Sequence, residues 1–286
     1  MKILFVGAVE FSQRCLRALR AAGHDPDVLT VWESEGRQRH TDWVDLSAQP
    51  RGVLYEGSLP NIKGQYDLAL VCGWSRLLPT DLAPHMVGSH PTLLPKGRGR
   101  HPIPWSILMG DGEWAGLTFF RLVAEPDAGP ILWQAPIGVG PLDHAGDLYE
   151  KVCERGEQGV VEVVRRIQRG DTETIQDEAR ASWWPKRSEE DNRVDWTRAE
   201  GVARLVRAMS RPYGGAWSML VRGSVRLPIR WWRVANWNDN GLIAPPGTIQ
   251  RASEERLVVA TGDGWVAFSE WSLPTGQIVR SGMRLA

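Results

Sequence analysis

The sequence predicts an α/β protein: a Rossmann-like, mostly parallel sheet domain followed by a small C-terminal β-barrel. Three observations carry that expectation. Lys2–Gly7 is a short apolar run, and Glu10–Ala22 follows with Phe11, Cys15, Leu16, Leu19 and Ala22 at helical spacing, the opening of a βαβ unit. Continuous apolar runs such as Tyr66–Cys72 suit strands covered on both faces. Beyond Gly170 the character changes to short runs (WSMLV, LPIRWWRV, LVVAT, WVAFSEW) punctuated by Gly, Asn and Pro, as in a barrel.

The elements follow in order. Gly23 stops the first helix, and Asp27–Trp32 supplies a second strand after a turn containing Pro26. No GxGxxG follows the first strand, so a dinucleotide-binding reading lacks its main support. Residues 33–50 are polar and irregular, a helix-containing excursion, and Val53–Tyr55 reads as a short strand. GWSRLLPTDLAP, after Cys72, reads as a turn and a short helix, and Met86–His90 as a strand with His90 at its C-terminal end. Pro102–Met109 is a helix with proline in its first turn. Gly116–Val123 and Pro130–Val139 read as strands joined by EPDAG, and His144–Arg169 as a long helix. A polar segment holding Trp183-Trp184-Pro185 then connects to a helix over Gly201–Arg211. The expected boundaries are a first domain at 1–175, a linker at 176–198 and a C-terminal domain at 199–286.

With 286 residues, 42% of them apolar, the chain can bury a substantial core. No apolar run approaches the ~20 residues of a membrane span, and the start lacks a signal-peptide pattern, so no membrane partner and a cytoplasmic location are expected. Cys15, Cys72 and Cys153 are odd in number and widely spaced, which suggests neither a disulfide framework nor a zinc motif. The formal net charge is zero, against a field over the whole protein that would draw nucleic acid. The charge is unevenly placed, however: Ala199 to the end holds eleven arginines and no lysine against six acidic residues. That surplus fits a phosphorylated small molecule or a solvated face better than a polyanion.

The stretch from Gly88 to Gly129 concentrates His90, Arg98, His101 and Asp127 among glycines and prolines, between strand-like runs. In open α/β sheets ligands gather at the C-terminal ends of strands, where His90 is placed. A carboxylate beside an imidazole holds its tautomer and suits it to shuttle a proton, as acyl transfer to an amine requires. A metal site built from His85, His90, His101 and Asp127 is not expected, because His85 falls on another face of its strand. Among the fifteen tryptophans, Trp183, Trp184, Trp231 and Trp232 either stack on a sugar or nucleobase or pack a domain junction, with packing favoured.

SHPTLLPKGRGRHPIPWSI, then GLTFF and EPDAGPIL, resembles the signature of the folate-dependent formyltransferases, the group holding methionyl-tRNA, glycinamide ribonucleotide and sugar N-formyltransferases. KILFVGAVEFSQRCLRALRAAGH is similar to their first βα unit, and WWPKRSEEDNRVDW and RPYGGAW to the linker and C-terminal entry of the two-domain members. The resemblance implies a formyltransferase domain and an OB-like C-terminal barrel. It also implies 10-formyltetrahydrofolate as co-substrate and a small amine acceptor, a nucleotide-linked amino sugar before tRNA. His90, Leu93, Leu94, Pro95, Arg98, Gly99, Asp127 and Gly129 match the family pattern, and Thr92 stands where serine is usual. By the same resemblance His90 manages the transferred proton with Asp127 in support. The donor pocket is expected from Trp74, Leu77 and Leu78, from Gly88, Leu93 and Arg98, and from Pro126, Ala128 and Gly129. The family's catalytic Asn falls at Gly88, which offers only its backbone N–H. Thr92 or His101 is expected to replace that donor, because strand alternation turns Ser89 to the opposite face.

Overall fold

The computed structural model describes residues 1–33, 36–37, 41–47, 53–55, 62–110, 112–241 and 244–286. Its elements fall into two units. The first holds Met1–Pro102, Asp111–Gly138 and Tyr149–Pro185; the second holds Ile103–Gly110, Val139–Leu148 and Lys186–Ala286. Residues as far as Pro185 stay with the first unit, and two earlier segments group with the second.

In the first unit β1 (Ile3–Val6) leads into α1 (Glu10–Ala21), followed by β2 (Asp27–Thr30), β3 (Val53–Tyr55), β4 (Leu68–Val71) and β5 (His85–His90). These strands run parallel in the order β3-β2-β1-β4-β5. After the two-residue β6 (Arg98–Gly99) and helix α2 (Pro102–Met109), β7 (Gly116–Arg121) and β8 (Ile131–Pro136) extend the sheet beyond β5, antiparallel. Strand residues such as Phe5, Leu68, Leu70 and Val87 have no exposure, which is why their runs are uninterrupted by polar residues. One face carries a cluster of Leu4, Val6, Leu29, Ala69, Val71, Leu82 and Met86, with Trp74, Leu78 and Leu122 packed against it. The amphipathic face of α1 is buried through Phe11, Cys15, Leu16 and Leu19.

Two local expectations change, and a third holds where it is described. GWSRLLPTDLAP forms turns and no helix; Gly73 takes φ +64°, and Pro79 and Pro84 cannot donate backbone hydrogen bonds. Within 33–50, Glu33, Gly36 and Arg37 are helical, and residues 34–35, 38–40 and 48–50 lie outside the described residues. The segment read as a linker contains β9 (Trp183–Trp184), which pairs in parallel with β6, Arg98 opposite Trp183. All three cysteines are free and buried.

The second unit holds α2 from Ile103 onward and the first turn of α3 (Ala145–Arg169), whose later part lies in the first unit, and adds α4 (Ala199–Met209). Its six strands are β10 (Ala216–Arg222), β11 (Val225–Asn238), β12 (Ile249–Ala252), β13 (Leu257–Ala260), β14 (Trp265–Ser272) and β15 (Arg284–Leu285). They form one sheet in the order β12-β13-β14-β11-β10-β15. A bridge between Thr248 and Arg284, with Leu285 N–H donating to Gly247 O at 2.8 Å, joins its two ends into a nearly closed barrel. The fourteen-residue β11 bends around the barrel through register shifts between Trp231 and Asn236. Inside, Trp231 lies 4.2 Å from Phe268, and Trp196 meets both edge-on, while Val202, Val206 and Met209 of α4 complete the core. Trp184 and Trp231 are thus packing residues, whereas Trp183 is half exposed.

Candidate active site

Strand alternation along β5 puts Met86, Gly88 and His90 on one face and Val87 and Ser89 on the other. His90 ends the strand at the C-terminal edge of the parallel sheet and is 6% exposed. Its Nε2 lies 2.8 Å from the carbonyl oxygen of Gly97. A carbonyl only accepts, so in this geometry Nε2 carries the hydrogen, and in the neutral ring Nδ1 keeps its lone pair. Nδ1 faces Oδ1 of Asp127 at 3.7 Å. That separation is too long for a direct hydrogen bond. An atom about 2.8 Å from both would see them about 80° apart, so one proton-bearing nitrogen or oxygen can touch imidazole and carboxylate together.

The loop after His90 is held by its own polar groups. Thr92 N–H donates to His90 O at 2.9 Å, and Thr92 Oγ1 donates to Lys96 O at 2.8 Å. Thr92 is fully buried, and its hydroxyl proton is engaged within the loop. Asp127 sits at φ +57°, a left-handed conformation uncommon outside glycine, and its Oδ2 accepts from Gly99 N–H at 2.9 Å. Two residues on, a side chain at Gly129 would place Cβ 1.8 Å from Arg121 O, so only glycine lets the turn lie this close to β7.

The face of β5 that carries Met86, Gly88 and His90 is covered mostly by apolar groups. A Cβ on Gly88 would stand 2.5 Å from Leu122 Cδ2, with Cγ at 3.3 Å and Phe120 Cζ at 3.4 Å. The volume in front of Gly88 is therefore filled by Leu122. Trp74 and Leu78 pack against the same cluster as Leu122, and the indole N–H of Trp74 is buried with no acceptor. Leu77 on the same loop is 89% exposed, and Pro126 is also exposed, with Ala128 half-buried. Leu93 is turned toward β7, where the absent side chain of Gly116 makes room for it. His101 takes φ +55° just before α2.

Arg98 is 1% exposed and points away from solvent. Its Nη1 and Nη2 donate to the two carboxylate oxygens of Glu178 at 2.9 and 2.6 Å, and Nη2 donates to Gln176 Oε1 at 2.8 Å. Hydrogen bonding to the guanidinium holds the Glu178 carboxyl below its ordinary range. Gln176 and Glu178 were not singled out by the sequence, where they lie in a polar stretch at the start of the expected linker. The signal that finds them is the pairing of β9 beside β6.

His85 is at the opposite end of β5, where its Nδ1 lies 3.3 Å from Arg121 Nη2. Among the described residues, no group of three or more His, Cys, Asp or Glu is placed to hold a metal ion. The N-terminus of α1, the usual phosphate seat of a βα unit, is already occupied by protein acceptors. Ala8 and Val9 N–H both donate to Ser12 Oγ at 3.2 Å, Glu10 N–H to Asp42 O and Phe11 N–H to the Tyr149 hydroxyl. No helix among the described residues is long and apolar enough to cross a membrane.

Comparison with solved structures gives the same fold. HypX from Aquifex aeolicus in complex with tetrahydrofolic acid superposes with a TM-score of 0.70 at 22% identity, over 99% of this chain and 46% of that one. The chain thus spans about half the length of HypX. WlaRD, a sugar 3N-formyl transferase crystallised with dTDP and 5-N-formyl-THF, gives 0.70 at 14% identity over 97% of this chain and 99% of that one. The N-formyltransferase from Helicobacter canadensis, in complex with folinic acid and dTDP-3-aminofucose, gives 0.67 at 15%, over 95% and 100%. At the level of sequence, the formyl transferase family model matches residues 61–164, and that of the formyl transferase C-terminal domain matches 186–282. With its sheet unit and its barrel both accounted for in this way, the chain belongs to the formyl transferase family.

Proposed function

We propose that this protein transfers a formyl group from 10-formyltetrahydrofolate to the primary amine of a small, nucleotide-linked amino sugar. The observation that carries the reading is the gap between His90 Nδ1 and Asp127 Oδ1, 3.7 Å wide, at the C-terminal edge of the sheet. An amine nitrogen seated there donates to both. The co-substrate supplies an activated one-carbon acyl group. The residues present fit such a group: an apolar wall of Leu78 and Leu122 with a buried indole N–H of Trp74 lacking an acceptor suits a flat heteroaromatic ring with acceptor atoms. His90 takes the amine proton on Nδ1 as nitrogen attacks the formyl carbon, while Asp127 stabilises the imidazolium so formed. The same proton is then available to the departing nitrogen of the donor. The hydrogen bond from Nε2 to Gly97 O keeps the ring in the required tautomer throughout.

Likeness to sugar N-formyltransferases, two of them crystallised with dTDP or a dTDP-amino sugar, supports the acceptor class. A second reading, transfer to initiator Met-tRNA, rests on the two-unit layout together with the arginine-rich stretch after Ala199. The test is mass spectrometry on dTDP-linked 3-amino and 4-amino sugars incubated with 10-formyltetrahydrofolate, with initiator Met-tRNA alongside. The expected result is one added formyl group on a sugar nucleotide, abolished in His90→Ala. Formylation of tRNA alone, falling steeply with salt, selects the second reading. Donor turnover that is equal in wild type and His90→Ala removes the catalytic assignment altogether.

A further inference from the structure

We propose that Gln176, oriented by Arg98, is a positioning residue that clamps the Asp127 turn in its working conformation; the inference rests on the reading of His90 and Asp127 given above. The carboxamide of Gln176 is 5% exposed and fully used. Its Nε2 donates one hydrogen to Asp127 O at 2.8 Å and the other to Gly129 O at 2.7 Å, bridging the two ends of the turn. Its Oε1 accepts from Arg98 Nη2 at 2.8 Å and Nε at 3.3 Å. An amide can be placed either way round. The guanidinium, which only donates, removes that freedom by requiring oxygen on its side and so turning NH2 toward the two carbonyls.

Arg98 is itself fixed from two directions, by the paired contacts to Glu178 and by Trp183, whose ring centre lies 5.5 Å from its Cζ. The next residue, Gly99, then donates its N–H to Asp127 Oδ2. The Arg98-Gly99 dipeptide thus reaches Asp127 by two routes, on the carboxylate directly and on the backbone through Gln176. Asp127 needs such support because its backbone is left-handed, a conformation that side-chain-bearing residues hold only when their surroundings fix it. Relaxation of that backbone would swing the carboxylate away from the imidazole, and a displacement near 1 Å can cost about 100-fold in rate.

Gln176→Glu keeps an oxygen for Arg98 and removes both hydrogens. With 10-formyltetrahydrofolate and dTDP-3-aminofucose as probes, it is expected to lower kcat by ten- to a hundred-fold with little change in the KM of the donor. Hydrogen exchange supplies a readout independent of turnover: the Gly99 amide should lose protection while the amides of β1, β4 and β5 keep theirs. In an Asp127→Asn background, Gln176→Glu should cost nothing further, since it acts through Asp127. Should Gln176→Glu fail to fold, Gln176→Met carries the same expectations. Full activity in either variant, multiplying losses in the double variant, or an unchanged Gly99 amide would overturn the clamp. If Asp127→Asn alone transfers formyl at the wild-type rate, the failure belongs to the catalytic reading, and the exchange result still decides whether Gln176 holds the turn.

Discussion

Gly88 and Leu122 show how a single position changes meaning once its neighbours are known. In sequence, Gly88 is an empty place in a motif that otherwise holds. In the structure the place is taken, because the register of β5 against β7 sets Gly88 opposite Phe120 and brings Leu122 over it. Gly88→Asn is therefore expected to overpack, lowering unfolding free energy by about 1–3 kcal/mol, without raising the transfer rate. Urea unfolding of Gly88→Asn, alone and combined with Leu122→Ala, checks this: the second change should recover part of the loss. Equal stability of Gly88→Asn and wild type would show that Leu122 yields freely. The meeting of His90 and Asp127 was legible because both stand beside strand-like runs within one short stretch of sequence. Of Thr92 and His101, the residues the sequence offers for a missing donor, Thr92 has its hydroxyl engaged with Lys96 O. No local pattern announces Gln176, since its partners are 47 to 78 residues away in the chain.

At the scale of elements, the segment entering α3 carries a pH-sensitive joint inside the second unit. His144 is 3% exposed; its Nδ1 lies 2.9 Å from Leu142 O and its Nε2 accepts from Val234 N–H at 3.1 Å. Both contacts together require the neutral ring. Burial, then the neighbouring Arg233, push the imidazole below its ordinary value near 6.5, with Arg207 adding to this and Leu142 O and Asp147 opposing it. Above pH ~6.5 the ring is neutral folded or unfolded, and the stabilisation is complete. As pH falls below that value the unfolded chain binds the proton first, so stability declines until the folded-state value is passed. Thermal unfolding between pH 8 and pH 5 should show this decline in wild type and a shallower one in His144→Gln; parallel curves would remove His144 as its source. The periodicity of α1 and the uninterrupted strands were readable because one-sided or two-sided burial writes itself into the sequence. The turns at 73–84 were not, because the apolar residues there serve a loop that packs on the core, as Leu78 does, or stands exposed, as Leu77 does. Composition alone places Trp183 and Trp184 in a linker, whereas their strand pairing with Arg98 and Gly99 depends on residues 85 positions earlier.

At the scale of the whole molecule, the barrel depends on the last residues of the chain. Ala286 exchanges hydrogen bonds with Met219, at 2.9 Å as donor and 2.8 Å as acceptor, and Leu285 is buried in the core. Removing Arg284–Ala286 should leave the edges of β10 and β12 unpaired. Hydrogen exchange is expected to accelerate throughout the barrel while β1, β4 and β5 remain protected; uniform protection would show that closure is dispensable. The three cysteines have a practical consequence. All three are buried, and burial pushes the Cys15 thiol well up, with Cys72 adding to it, and raises Cys153 to about 12, so at those two positions thiolate is scarce as well. The native chain should be blank to maleimides, and one cysteine introduced on its surface would take a fluorophore alone. On unfolding, three equivalents should label at once, which gives the protein a built-in chemical clock for its own opening.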